Sequence, residues 1–151
     1  MKTILRQRGA IAVELAIVLI PLVMLTFIVT EAGRALYQYN TLVKATRDAA
    51  RFLTTTAPGS VGNADIAKCL TVYGNKTCAG VVLAPGLTLA MVNVCDSLSC
   101  PLNKNQPTGS GVINLVTVTI SGFPFSFFVP FVTTNLTNIQ FSPISTTMRQ
   151  I

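Results

Sequence analysis

Between Ala10 and Thr30 the chain is apolar except for one ionisable side chain, Glu14. As a helix, Ala10–Val29 rises about 30 Å at 1.5 Å per residue, the thickness of a bilayer's hydrocarbon core. The pattern predicts one membrane-crossing helix, and it does not end at the membrane. From Ala32 the apolar positions fall at 32, 35/36, 39, 42/43, 46, 49/50 and 53, with Thr46 counted as neutral. Steps of three and four keep them on one helical stripe. Arg34, Gln38, Thr41, Lys44, Asp48 and Arg51 lie mostly off it, and Lys44 and Asp48 have the spacing of an i,i+4 ion pair. Thr54-Thr55-Thr56-Ala57-Pro58-Gly59 is a strong stop. A helix from Ala10 to about Thr55 is therefore expected, about 69 Å long and bent at Pro21, which has no N–H to donate. Such a helix outruns a domain of about 95 residues. Its outer stripe is expected to pack partly on its own domain and partly against other subunits.

Past the Pro-Gly stop the period changes. Gly62–Tyr73 reads as a short helix with Ile66, Cys69, Leu70 and Tyr73 on one face, ended by Gly74-Asn75. Leu87–Val94 reads as a first strand. The clearest strand is Val112–Ser121, where Ile113, Leu115, Val116, Val118 and Ile120 interleave with Thr117 and Thr119. A third is expected from Leu136–Phe141 and Ile144–Met148, interrupted at Pro143. The fold class predicted is α+β, a long N-terminal helix packed on a small antiparallel sheet. Between strands, Phe123-Pro124-Phe125-Ser126-Phe127-Phe128-Val129-Pro130-Phe131 is expected to fold over the sheet, because a small domain needs its apolar groups inside. Left exposed, it would mark an interaction site.

Composition sharpens this picture. The chain has 151 residues, enough for one outer domain, with 50% hydrophobic and 11% charged residues. Soluble domains carry about 25% charged residues. The net charge is +6, but its distribution is more informative than its sum. Lys2, Arg6 and Arg8 precede the apolar run, whereas Glu31 and Arg34 roughly cancel behind it. By the positive-inside rule the N-terminus is cytoplasmic and the remainder is outside. A cleaved secretory signal fits less well: the apolar run is too long, and Thr30-Glu31-Ala32 is a poor small-x-small site. Four cysteines, Cys69, Cys78, Cys95 and Cys100, all follow the run, which suits an oxidising compartment. Of the three possible connectivities, the neighbouring pairs Cys69–Cys78 and Cys95–Cys100 are preferred. Two sequons, Asn75-Lys76-Thr77 and Asn135-Leu136-Thr137, are attributed to chance in a Thr/Asn-rich chain. There is no histidine, so the Ser-His and Cys-His nucleophile pairs are excluded. No P-loop or Gly-x-Gly-x-x-Gly occurs, and no C-x2-C knuckle suggests zinc. No catalytic residue, metal or cofactor is expected. The C-terminal domain has no basic cluster with interleaved aromatics, so no nucleic-acid partner is expected either.

Glu14 is the informative residue, because an isolated carboxylate inside a membrane segment costs about 2.5–3.5 kcal/mol on insertion scales. It lies near the start of the run, where headgroups could solvate it. Cleavage after Gly9 would offer a second answer, since Ala10 would gain a free α-amine one helical turn from Glu14 and on the same face. A basic leader ending in Gly, with Glu at the fifth position after it and a long apolar helix beyond, resembles the class III signal of type IV pilins and pseudopilins. The matching residues are Arg8-Gly9 and Ala10-Ile11-Ala12-Val13-Glu14. Together with Leu15-Ala16, Leu19-Ile20-Pro21-Leu22, Glu31-Ala32-Gly33-Arg34, Asn40 and Ala45-Thr46-Arg47-Asp48-Ala49-Ala50-Arg51, they resemble the TadE-type proteins of the tight-adherence (Flp, type IVc) pilus. Leu15 departs from the major Flp pilins, which usually have an aromatic there, and those short subunits lack a large C-terminal domain.

The resemblance covers about the first third of the chain. It implies a minor pilin or pseudopilin with a leader at 1–9, a transmembrane and amphipathic helix at 10–56 and an extracytoplasmic domain at 57–151. It further implies cleavage between Gly9 and Ala10 by a prepilin peptidase, and an assembly role for Glu14. Expected partners are the bacterial inner membrane, other pilin and minor pilin subunits and the Tad assembly platform, with the outer domain periplasmic or carried into a pilus. The alternative is an anchored exported domain whose binding role is unrelated to pili.

Overall fold

The computed structural model describes residues 2–127 and 139–150, with the side chains of residues 2–8 outside that description. Phe128, Phe131, the Asn135 sequon and the Leu136 start of the third predicted strand also lie outside it. The dominant element is α1, Lys2–Thr54, with 53 residues and Pro21 inside it. At 1.5 Å per residue it is about 80 Å long. It starts eight residues earlier than predicted, so the basic segment before Gly9 is helical. Within it, Gly9–Thr54 is long and apolar enough to cross a membrane, and no part of its most apolar window is buried in the protein.

The second helix, α2 (Val61–Tyr73), lies close to its predicted bounds. Ser60 caps it by accepting from Asn63 N–H, and Gly74 ends it at φ 71°, a left-handed conformation in which glycine carries no Cβ penalty. The strands are β1 (Val92–Cys95), β2 (Gln106–Pro107), β3 (Val112–Ile120), β4 (Pro124–Phe125), β5 (Ile139–Gln140) and β6 (Ile144–Gln150). In the main sheet β3 is central and antiparallel to its partners, with Val92↔Ile120 against β1 and Ile120↔Ile144 to Asn114↔Gln150 against β6. β4 and β5 form a separate two-stranded sheet.

Two strand expectations change. The first strand covers Val92–Cys95 rather than Leu87–Val94, because Leu89–Met91 turns as a 3-10 helix. The third strand is interrupted at Pro143 as expected, but its two parts join different sheets: β5 pairs with β4, and β6 with β3. Proline has no N–H for a ladder, and the chain changes sheets there.

α1 packs on α2 and on one face of the main sheet. The core joins Leu42, Ala49, Ala50 and Leu53 of α1, Ala67 and Val72 of α2, Val92, Val116, Val118, Ile120 and Ile144 of the sheet, and Phe123. Small side chains at 45, 49 and 50 let the helix approach closely. On the other face Thr117–Thr147 and Thr119–Ser145 pair their hydroxyls across strands at 2.9 and 3.1 Å.

The helical stripe is only half as predicted. From Leu42 onward the core face carries positions 42, 45/46, 49/50 and 53, as the pattern requires. Above the membrane it is polar: Glu31 and Gln38 are buried, while Ala32, Leu36 and Tyr39 of the predicted stripe are exposed. Nor do Lys44 and Asp48 form an ion pair; the pairs among the described residues are Arg34–Glu31 and Lys68–Asp65.

Candidate functional site

The predicted site residues lie far apart. Gly9, Ala10 and Glu14 are exposed near the start of α1, with no other element against them among the described residues. Ile11, Glu14, Leu15 and Val18 line one shallow exposed face, the i, i+3, i+4, i+7 pattern of a single helical stripe. Ala10 and Glu14 are one turn apart on it, so a free amine at residue 10 would lie within reach of the carboxylate. A Cβ built on Gly9 would meet nothing within 4 Å. Nothing in the fold therefore demands glycine there, although mid-helix glycine costs about 1 kcal/mol relative to alanine.

The cysteines are in the outer domain. Cys69 is bonded to Cys78, with Cα atoms 4.7 Å apart, and Cys95 to Cys100, 5.5 Å apart. The first bridge ties α2 to the loop after it. Within that loop Asn75 Oδ1 accepts from Thr77 N–H, Thr77 Oγ and Ala79 N–H, while its Nδ2 donates to the carbonyls of Ala79 and Tyr73. Both amide atoms of the first sequon are thus engaged in holding the loop. Among the described residues no three His, Cys, Asp or Glu side chains are grouped to hold a metal ion.

Two polar clusters were not anticipated. In the second disulfide loop, Asp96 Oδ1 accepts from Leu98 N–H, Ser99 N–H and Ser99 Oγ, while Oδ2 accepts from Gly59 N–H at 2.6 Å. Partial burial opposes ionisation, but the hydrogen bonds from Gly59, Ser99 and Leu98 outweigh it and hold the carboxyl below its ordinary value of 3.8. The Asp-Ser-Leu-Ser run is the local sequence signal, since Asp and Ser favour such side-chain-to-backbone turns.

The second cluster is at the foot of the domain. Glu31, 8% exposed, accepts from Arg34 Nη2 at 2.6 Å and Nε at 3.2 Å. Arg34 also donates to the Ser126 carbonyl, and its guanidinium lies 4.7 Å from the Phe125 ring centroid. Phe125 in turn stacks on Phe141 at 5.6 Å. The pair that looked like cancelling flank charges thus fastens the Phe125–Ser126 part of the Phe-rich segment to α1. Only the i,i+3 spacing of Glu31 and Arg34 was visible in sequence; the partner ninety-two residues away was not.

Residues 9–51 match the family described as TadE-like protein. No curated protein and no solved structure matches the chain.

Proposed function

We propose that this chain, a TadE-like protein by its residues 9–51, is a minor-pilin or pseudopilin-like structural subunit. It would serve assembly of a Tad/Flp-type pilus used in adherence, biofilm formation or secretion. The observation that carries the reading is the start of the match at Gly9, on an exposed helix whose fold places no demand for glycine there. A peptidase that reads glycine at its cleavage point supplies the missing reason. The protein then works by packing, without catalysis. Its N-terminus faces the cytoplasm of the inner membrane, and its disulfide-bearing domain faces the periplasm or a growing pilus. α1 supports the packing role, because its membrane segment and the exposed Ala32 and Leu36 form one continuous apolar face on a single rod.

In the mature subunit the Ala10 amine and Glu14 would be an ion-pairing set in a low-dielectric environment. Pairing with a neighbour's amine would fix the axial register of two helices. Stranding one partner of such a pair costs about 3–5 kcal/mol, enough to select one register.

The test is the intact, non-reduced mass of protein isolated from cells with a Tad system. A chain beginning at Ala10 with both disulfides formed is the expected result. An intact Met1 removes the pilin-like reading and leaves an anchored domain of other function; four free thiols remove the exported topology.

A further inference from the structure

Eight cations and four side-chain carboxylates follow the apolar run. Arg34 and Lys68 take up Glu31 and Asp65, and Asp96 is held by backbone and Ser99 donors. Asp48 is the carboxylate left for the other six cations. Folding gathers four of those six on one surface. Lys44, Arg47 and Arg51 are spaced i, i+3 and i+7, so they share one face of α1. All three are exposed, while positions 42, 45/46, 49/50 and 53 turn to the core. Lys76, exposed on the loop after α2, has its Nζ 4.9 Å from the ring centroid of Phe52, next to Arg51. Among the described residues no carboxylate pairs with any of the four. Asp48 lies on the same face, so four cations less one carboxylate leave it a net charge of +3. Along the C-terminal domain the cations are scattered; the cluster forms because folding sets Lys76 against α1.

Its position and spacing select a partner. Lys44 stands fourteen residues beyond Thr30, about 21 Å along the axis, and Arg51 stands higher. Headgroup charge is screened within about 8 Å at physiological ionic strength, so the bilayer that α1 crosses does not reach this face. A single small anion fits no better, because the cations are strung along about 10 Å of helix rather than set round one point. Duplex nucleic acid presents one charge per about 1.7 Å of its axis, and over that length it offers a phosphate to each of the four. A polymer with one acid per sugar offers fewer. Two of the four cations are arginines, whose planar forks take phosphate oxygens in pairs.

We propose that the face formed by Lys44, Arg47, Arg51 and Lys76 binds the phosphate backbone of duplex nucleic acid on the outer side of the membrane, without reading its sequence. The placement outside rests on the membrane-anchored reading of α1.

The test is fluorescence anisotropy of a labelled DNA duplex with full-length protein in zwitterionic phosphatidylcholine nanodiscs, titrated between 50 and 200 mM salt. Four phosphate contacts contribute about −3.6 to the slope of log affinity against log salt, about a 100-fold loss over that range. Lys44→Gln, Arg47→Gln, Arg51→Gln and Lys76→Gln should each make the slope shallower by about 0.9, equally for duplexes of unrelated sequence. Lys104→Gln is the control. Lys104 is exposed and follows Asn103, which donates to Thr117 Oγ on the sheet face turned away from α1. Its removal should leave the slope unchanged. Lys2, Arg6 and Arg8 are present in every variant and add the same amount to each. Both disulfides by non-reduced mass, with an unchanged unfolding temperature, establish that the variants fold. If the four variants bind as wild type does, or if Lys104→Gln weakens binding as much as they do, this face is not the site. If a polyuronate displaces the duplex at equal charge concentration, the partner is an acidic polysaccharide and the proposal is overturned.

Discussion

At the residue scale, Glu14 and Asp96 are carboxylates in opposite settings, one exposed on the apolar helix and one hydrogen-bonded in the outer domain. Glu14 touches no part of the outer domain, so its removal should leave folding alone. Glu14→Gln is expected to give normal membrane level and both disulfides, with loss of subunit incorporation and of pilus-dependent adherence; unchanged pilus output at equal protein level removes the assembly role. If leader cleavage fails first, Glu14 acts in peptidase recognition. Asp96 fastens the Cys95–Cys100 loop to the α1–α2 connection through Gly59. Its carboxyl is held below the ordinary value in the folded state, so folding favours the ionised form. That stabilisation is complete above the ordinary value and is lost as pH falls through the lower, folded one. Thermal unfolding in detergent should show a drop between about pH 5 and pH 2 that Asp96→Ala lacks. At neutral pH the variant should be less stable by about 1 kcal/mol.

At the element scale, α1 changes partners along its length. Its apolar run has no other element against it among the described residues, a polar stretch from Glu31 to Gln38 meets the domain, and from Leu42 it is a core helix. Leu42 is 0% exposed and Leu36 is 64% exposed, yet both belong to the same apolar period. Leu42→Ala should destabilise the outer domain by about 2–5 kcal/mol through lost burial and a cavity. Leu36→Ala should stay within about 0.5 kcal/mol, and if this face meets other subunits it should lower incorporation instead. Thermal unfolding separates the two variants, and pilus output reads the second effect. Equal destabilisation by both would show that the domain covers Leu36 as well.

At the scale of the whole molecule, an apolar rod and a small bridged domain are joined by continuity of one helix, by the core they share and by a polar fastening at the foot of the domain. Sequence separation hides that fastening. Arg34 and Ser126 are far apart in the chain, and only the descent of β3 toward the membrane brings them together. The two short disulfide loops act at the other scale, each constraining fewer than ten residues beside α2 or β1. Their loop-closure terms are accordingly modest, roughly 2–3 kcal/mol each. The domain holds its shape mainly through the core shared by α1, α2 and β3.

By itself the sequence determined what depends on local period and local chemistry. A 20-residue apolar run with a single ionisable side chain has few fates other than a membrane helix. Steps of three and four extend that helix until the Thr-rich Pro-Gly stop ends it, and the Val112–Ile120 alternation demands a half-buried strand. The Ala10–Glu14 spacing was legible as one face of that helix, since residues four apart lie one turn from each other. Only the tertiary structure decided which side of the upper helix faces the domain. The period marks a stripe through Ala32, Leu36 and Tyr39, but apolar periodicity cannot say whether lipid, another chain or the protein's own sheet will cover it. The domain instead buries Glu31 and Gln38 there, since Arg34 satisfies Glu31 and is itself held by Ser126 and Phe125. The chain's turn at Leu89–Met91 and the different sheets joined by β5 and β6 on either side of Pro143 were settled in the same way, by what β3 and β4 could pair with, which is a property of the assembled sheets and of no single segment.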